Sequence, residues 1–175
     1  MKPILIFIAS LAIAYVSLGC AQATDSNMKF SGTLVSDPCE LDPQTSDLTV
    51  DFKSVIEKDI YLYTRSASVP FTISLTGCDT TLGNSVTFTF KGTQNTALPG
   101  YLAVTGTAAG IAVGLETAQG VPVPLNQATS ALTLANGSNS FIFKAYVTGE
   151  PEAMEKQSIT PGDFSATATF EMAYP

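Results

Sequence analysis

Thr160-Pro-Gly-Asp-Phe-Ser-Ala-Thr-Ala-Thr-Phe-Glu-Met-Ala-Tyr174-Pro175 is the stretch whose reading decides the fold. Phe164, Ala166, Ala168, Phe170, Met172 and Tyr174 fall at every second position, with Ser165, Thr167, Thr169, Glu171 and Ala173 between them. A period of two is strand geometry, because successive residues of an extended chain face opposite sides. The Pro161-Gly162 turn signal marks where the alternation starts. One long, half-buried C-terminal strand is therefore expected. Nothing follows it to pair with its second edge, and a regular apolar-faced strand with a free edge invites pairing with another chain unless something covers it.

Working back from that stretch, shorter alternating runs recur. Val69–Leu75, Val86–Phe90, Ile111–Leu115, Ala131–Leu134 and Phe141–Val147 read as strands, as do Leu48–Phe52 and Val121–Leu125. Near the N-terminus, Met28, Phe30, Gly32 and Leu34 alternate with Lys29, Ser31 and Thr33, a short strand with one glycine in its apolar face. Leu98-Pro-Gly100, Ala118-Gln-Gly120 and the polar run 136–139 supply turns. The segment Glu150–Lys156 reads as a surface loop with room for a single helical turn. About eight to ten short strands with no amphipathic helix form the pattern of an all-β, antiparallel, immunoglobulin-like sandwich.

The first 23 residues have the layout of a secretory signal: Lys2, an apolar run from Ile4 to Leu18, then Ala21-Gln22-Ala23 as the cleavage triplet. The apolar run is too short for a membrane span. Cleavage leaves 175 − 23 = 152 residues, the size of one domain with its own core. A competing reading takes Ser17-Leu18-Gly19-Cys20 as a lipoprotein site, although Ser17 stands where a leucine is usual. Without the signal, two cysteines remain, Cys39 and Cys78, enough for one structural disulfide in an exported chain.

Net charge is −7, or −8 once Lys2 is lost, and the basic residues are scattered singly, which argues against a nucleic-acid partner. The absence of histidine removes Ser-His-Asp and Cys-His nucleophilic sites and most zinc sites. No calcium-loop spacing occurs, and Glu150, Glu152 and Glu155 read as a solvated loop. Asn136-Gly-Ser138 matches a glycosylation triplet but reads as a turn. No cofactor or metal is expected, and a binding or building module is expected in place of an enzyme.

Taken together, the two ends of the chain resemble the pilin subunits of chaperone–usher fimbriae, such as type 1 and P pili. The run from Phe30 to Cys39, Phe-Ser-Gly-Thr-Leu-Val-Ser-Asp-Pro-Cys, looks like the family's opening. Val86-Thr-Phe-Thr-Phe-Lys-Gly92 and Ala97-Leu-Pro-Gly-Tyr-Leu-Ala-Val-Thr-Gly106 look like minor tip subunits of P-type pili. The family places a glycine fourteenth from the carboxyl end and an aromatic residue next to last, which here are Gly162 and Tyr174.

The resemblance implies an incomplete sandwich lacking its last strand, with a groove beside the C-terminal strand. A periplasmic chaperone would fill that groove first, zipping along Phe164–Tyr174 and holding the carboxylate of Pro175. At an outer-membrane usher, the N-terminal extension of a neighbouring subunit would replace it, the strand addition that pilin assembly exemplifies. In this chain the donor extension would be residues 24–35, ahead of a pilin domain at 36–175, with Ser26, Met28, Phe30, Gly32 and Leu34 entering the neighbour's groove. Gly162, Phe164, Ala166, Ala168, Phe170, Met172 and Tyr174 would form this subunit's own groove strand. Three large apolar donor side chains at ~1.5–3 kcal/mol each contribute about 5–9 kcal/mol before ordering costs. Within the family a minor tip or adaptor subunit is expected, with a major rod subunit as the rival. Outside it, the alternative is a self-contained secreted sandwich that binds carbohydrate.

Overall fold

The computed structural model describes residues 36–175, so the signal segment 1–23, Cys20 and the donor positions Ser26, Met28, Phe30, Gly32 and Leu34 lie outside the described residues. In chain order the elements are β1 (Glu40–Leu41), α1 (Glu57–Tyr63), β2 (Val69–Cys78), β3 (Ser85–Gly92), β4 (Leu102–Ala103), β5 (Thr105–Gly106), β6 (Ile111–Thr117), β7 (Leu132–Thr133), β8 (Gly137–Gly149), α2 (Pro151–Lys156), β9 (Phe164–Ser165) and β10 (Ala168–Ala173). A 3₁₀ turn at Pro43–Thr45 follows β1, capped by the Asp42 carboxylate, which accepts from the Gln44 amide.

Two antiparallel sheets face one another. The larger has the order β1-β2-β8-β6-β4, the smaller β10-β3-β7, and β5 pairs separately with β9. In β3 the alternation is complete: Val86, Phe88 and Phe90 are buried while Ser85, Thr87, Thr89 and Lys91 face outward. These inward rings meet the larger sheet, with Phe88 and Phe90 packed edge-on against Phe143 at centroid distances of 5.4 and 5.1 Å. Ile73, Leu75, Val86 and Val147 complete the fully buried centre. This is the all-β antiparallel sandwich expected from the strand pattern.

β6 is covered on both faces, so Ile111 through Glu116 are all buried. Gly114 makes this possible, because a Cβ there would collide with the rings of Tyr146 and Tyr101 that close the outer face. Beside them Glu116 is held by a forked pair of bonds from Arg65, Nη1 to Oε2 at 2.7 Å and Nη2 to Oε1 at 3.2 Å, and by the Ser68 hydroxyl at 2.7 Å. The guanidinium lies 4.0 Å from the centroid of the Tyr146 ring. Burial, with the hydroxyl contact to Tyr101, pushes the Tyr146 phenol up to about 12.

Several sequence expectations are corrected. Leu48–Phe52 forms no ladder: residues 47–56 are assigned to no strand or helix, although Val50 and Phe52 still pack against the core. Val121–Leu125 is also not a strand, because Pro122 and Pro124 have no amide to donate and the amides of Val123 and Leu125 go to separate places, the Leu115 carbonyl in β6 and the Gly100 carbonyl in the turn before β4. The helix α1 is an addition to the sequence reading. It has Glu57 and Asp59 in its first turn, where carboxylates suit the dipole, buries Ile60, and stops at Thr64 with φ 67°. The segment at 150–156 does carry its helical turn, α2.

Cys39 and Cys78 are bonded, joining the residue before β1 to the last residue of β2. Replacing both by serine is expected to lower stability by about 4 kcal/mol, the loop-closure value for a separation of 39 residues, read as a loss of urea midpoint. Hydrogen bonding from Arg65 holds the Glu116 carboxyl below its ordinary value. Its contribution is therefore present above the unfolded-state pKa and lost as pH falls through the lower folded-state one. Glu116→Gln is expected to cost about 1.5–3 kcal/mol at neutral pH, with the gap to the parent chain shrinking in acid; urea titrations at several pH values measure it.

Candidate functional site

The long C-terminal strand expected from the alternation is divided. Phe164 and Ser165 pair as β9 with Gly106 and Thr105, whereas β10 pairs with β3 on the smaller sheet, Ala168 opposite Gly92, Phe170 opposite Phe90 and Met172 opposite Phe88. Ala166 and Thr167 carry the chain between them, and the Thr167 carbonyl passes so close to Gly92 that a Cβ there would stand 2.8 Å away. Alternation survives the division: Phe164, Phe170, Met172 and Tyr174 are half-buried against the core, while Thr169, Glu171 and Ala173 are exposed.

β10 has a strand on one side only. Its other edge has no ladder partner among the described residues and borders a groove of about 800 Å³. One wall is the chain from Phe164 to Met172, and the opposite wall is the unpaired segment 46–52. The floor is the interior of the sandwich itself, including Phe71, Phe90, Leu102, Val113, Leu115 and Ala145. At β9, Phe52 and Phe164 lean together across the walls with centroids 5.9 Å apart. At the other end the Tyr174 hydroxyl makes a long hydrogen bond, 3.4 Å, to the Cys39 carbonyl. Burial, and then the nearby Asp37 carboxylate, raises the Tyr174 phenol above its ordinary value.

The sequence-expected groove residues are thus brought to one place. Phe164, Ala166, Ala168, Phe170 and Met172 line the groove, Tyr174 stands at its end, and Pro175 follows, exposed. Ala166 and Ala168 are themselves exposed, so the wall there is thin, while Phe90, Leu102, Val113, Leu115 and Ala145 in the floor are buried. Gly162 lies apart from the groove, at the turn before β9, where a Cβ would collide with Thr107 Oγ1 and the Ala108 amide. The Thr107 and Ala108 amides both donate to the Asp163 carbonyl, at 2.9 and 3.1 Å, which locks that turn against the larger sheet's loop. Sequence reading missed the opposite wall. Its signal is present in the alternation of Leu48, Val50 and Phe52, which reads as ordinary strand pairing.

Among the described residues no group of three or more His, Cys, Asp or Glu could hold a metal, and no helix is long and apolar enough to cross a membrane. The fimbrial protein family matches residues 28–175. The chain belongs to the fimbrial protein family. Over 93% of its length it is 37% identical to the fimbrial adapter PapK of Escherichia coli, covering 95% of that protein. It is 33% identical to the major MR/P fimbria protein of Proteus mirabilis, with 97% of each chain covered. In fold it is similar to the P pilus rod subunit PapA, with a TM-score of 0.69 over 79% of this chain and 100% of that one, at 24% identity. The protein is accordingly a structural subunit of a surface fimbria and not an enzyme, and its sandwich is the pilin type, open where a last strand would lie.

In this pilin Gly162 is a packing requirement. Gly162→Ala is expected to cost about 1–3 kcal/mol through overpacking against Thr107 and Ala108, seen as a lowered thermal midpoint. Adding Thr107→Ser to that variant keeps the hydroxyl that accepts from the Asp163 amide, and is expected to leave the penalty in place.

Proposed function

We propose that this fimbrial subunit is assembled by strand exchange. A periplasmic chaperone lends a strand to the groove beside β10, and at an outer-membrane usher the N-terminal extension of a neighbouring subunit takes its place. Phe164, Ala166, Ala168, Phe170, Met172 and Tyr174 form the receiving wall. Ser26, Met28, Phe30, Gly32 and Leu34 are the positions this chain inserts into its neighbour. The single observation that carries the reading is the unpaired edge of β10 beside an apolar-lined groove. An added strand would give β10 its second ladder and cover the half-buried Phe164, Phe170 and Met172 in one step. We place the subunit in an adaptor position, as the name of its PapK relative suggests.

Co-expression with a pilus chaperone, followed by purification on a tag carried by the subunit, tests the groove. The parent chain is expected to bring the chaperone with it. Ala168→Arg places a long charged side chain in the groove from an exposed position, so the fold is retained and the complex is lost. Undiminished recovery of the chaperone with that variant counts against the groove. Deleting residues 24–34 is expected to leave chaperone binding intact and abolish capping of a neighbour, and polymers formed by the truncated chain would show the donor assignment to be wrong. Immunogold label confined to pilus tips supports the adaptor position, while label along the shaft assigns the rod.

A further inference from the structure

Asn136-Gly137 stands at the bend between β7 and β8, exposed to solvent. The side-chain oxygen of Asn136 accepts two hydrogen bonds from one residue across the fold, from the Thr80 amide at 2.8 Å and from the Thr80 hydroxyl at 2.9 Å. Gly137 carries no side chain to shield its nitrogen, and the space where one would stand is open to 4 Å. The loop around them is held by Asn139, whose amide group accepts from the Ala135 N–H and donates to the Ala135 carbonyl, each at 2.8 Å. No other asparagine of the chain is followed by glycine: Asn27, Asn84, Asn95, Asn126 and Asn139 precede Met28, Ser85, Thr96, Gln127 and Ser140.

We infer that Asn136 is a self-modifying site, at which the main chain deamidates its own side chain with help from Thr80. The Gly137 nitrogen, losing its proton to water, attacks Asn136 Cγ and forms a new C–N bond. The negative charge of the tetrahedral intermediate builds on Oδ1, where both Thr80 donors already point, the arrangement by which an oxyanion is stabilised. Collapse breaks the Cγ–Nδ2 bond, and the leaving nitrogen takes a proton and departs as ammonia. Water then opens the five-membered imide on either side, giving aspartate or isoaspartate. No oxidant or cofactor is needed.

Either product adds one negative charge. Isoaspartate also inserts a methylene into the main chain at the start of β8, beside the pairing of Gly137 with Cys78 and hence next to the disulfide. The Thr80 donors suit the product as well, since a carboxylate at the same place accepts the same two bonds more strongly.

The test is prolonged incubation of the purified full-length subunit at neutral pH, followed by peptide mapping for the amide-to-acid mass gain and enzymatic methylation of isoaspartate. Conversion is expected at Asn136 ahead of every other asparagine. Thr80→Val removes the hydroxyl donor and is expected to slow conversion roughly two- to tenfold, the worth of one hydrogen bond, whereas Thr80→Ser restores the parent rate. A second comparison needs no variant: the folded chain converts faster than the same chain unfolded in urea, because unfolding removes Thr80. An unmodified Asn136, a glycan on it, equal rates in the valine variant, or faster conversion in urea would each overturn the proposal.

Discussion

The main-chain amides and carbonyls along one side of β10 have no ladder partner among the described residues, and the apolar interior opens beside them. These two deficits share a location, which is what makes the site. An unpaired strand edge recruits another strand, and the half-buried Val50, Phe52, Phe164, Phe170 and Met172 beside it gain about 25 cal/mol for each further Å² removed from water. Phe170 and Met172 reach down from β10 to Phe90 and Phe88, so the edge strand is itself anchored in the core it fails to cover. The groove is therefore a face of the sandwich interior, lined by side chains that also pack the domain.

The remainder of the structure holds the walls apart at a fixed spacing. The disulfide joins Cys39 to the end of β2, and Tyr174 bonds to the Cys39 carbonyl, so the two walls meet at one end. At the other, Phe52 leans on Phe164, and α1 is tied to the approach to β9 by the Ile159 amide donating to the Tyr61 hydroxyl. On the outer face of the larger sheet, Arg65 and Glu116 clamp the chain leaving α1 onto β6. A groove held in this way would have little ordering left to do were a strand to enter it.

Alternation proved to be a record of which side each residue faces, and it was legible wherever a strand has one buried side. Val86–Phe90 and Val69–Leu75 were readable for that reason, whereas Ile111–Leu115, covered on both sides, was readable from the Ala-Gln-Gly turn at 118–120 that it flanks. Pairing is a different property, set by residues far away in sequence, and here the reading failed. Phe164 and Phe170 share one unbroken pattern yet belong to separate ladders, because Gly106 and Phe90 stand opposite them on different elements. Leu48, Val50 and Phe52 alternate like any strand but have no neighbour to bond. The helix α1 escaped notice because its seven residues bury only Ile60, too little to print a helical period. The groove strand was readable from Phe164 to Tyr174; its opposite wall was not, since nothing local distinguishes an unpaired extended segment from a paired one.

The position of the disulfide has a mechanical consequence for a fibre component. Tension entering the chain ahead of Cys39 does not reach β1, whose two-residue ladder would peel readily. It crosses the sulfur bridge to Cys78, so residues 40–77, with β1 and the body of β2 among them, form a closed loop that a pull along the main chain cannot extend. The covalent cross-link thus keeps the length of that loop out of any stretching of the chain.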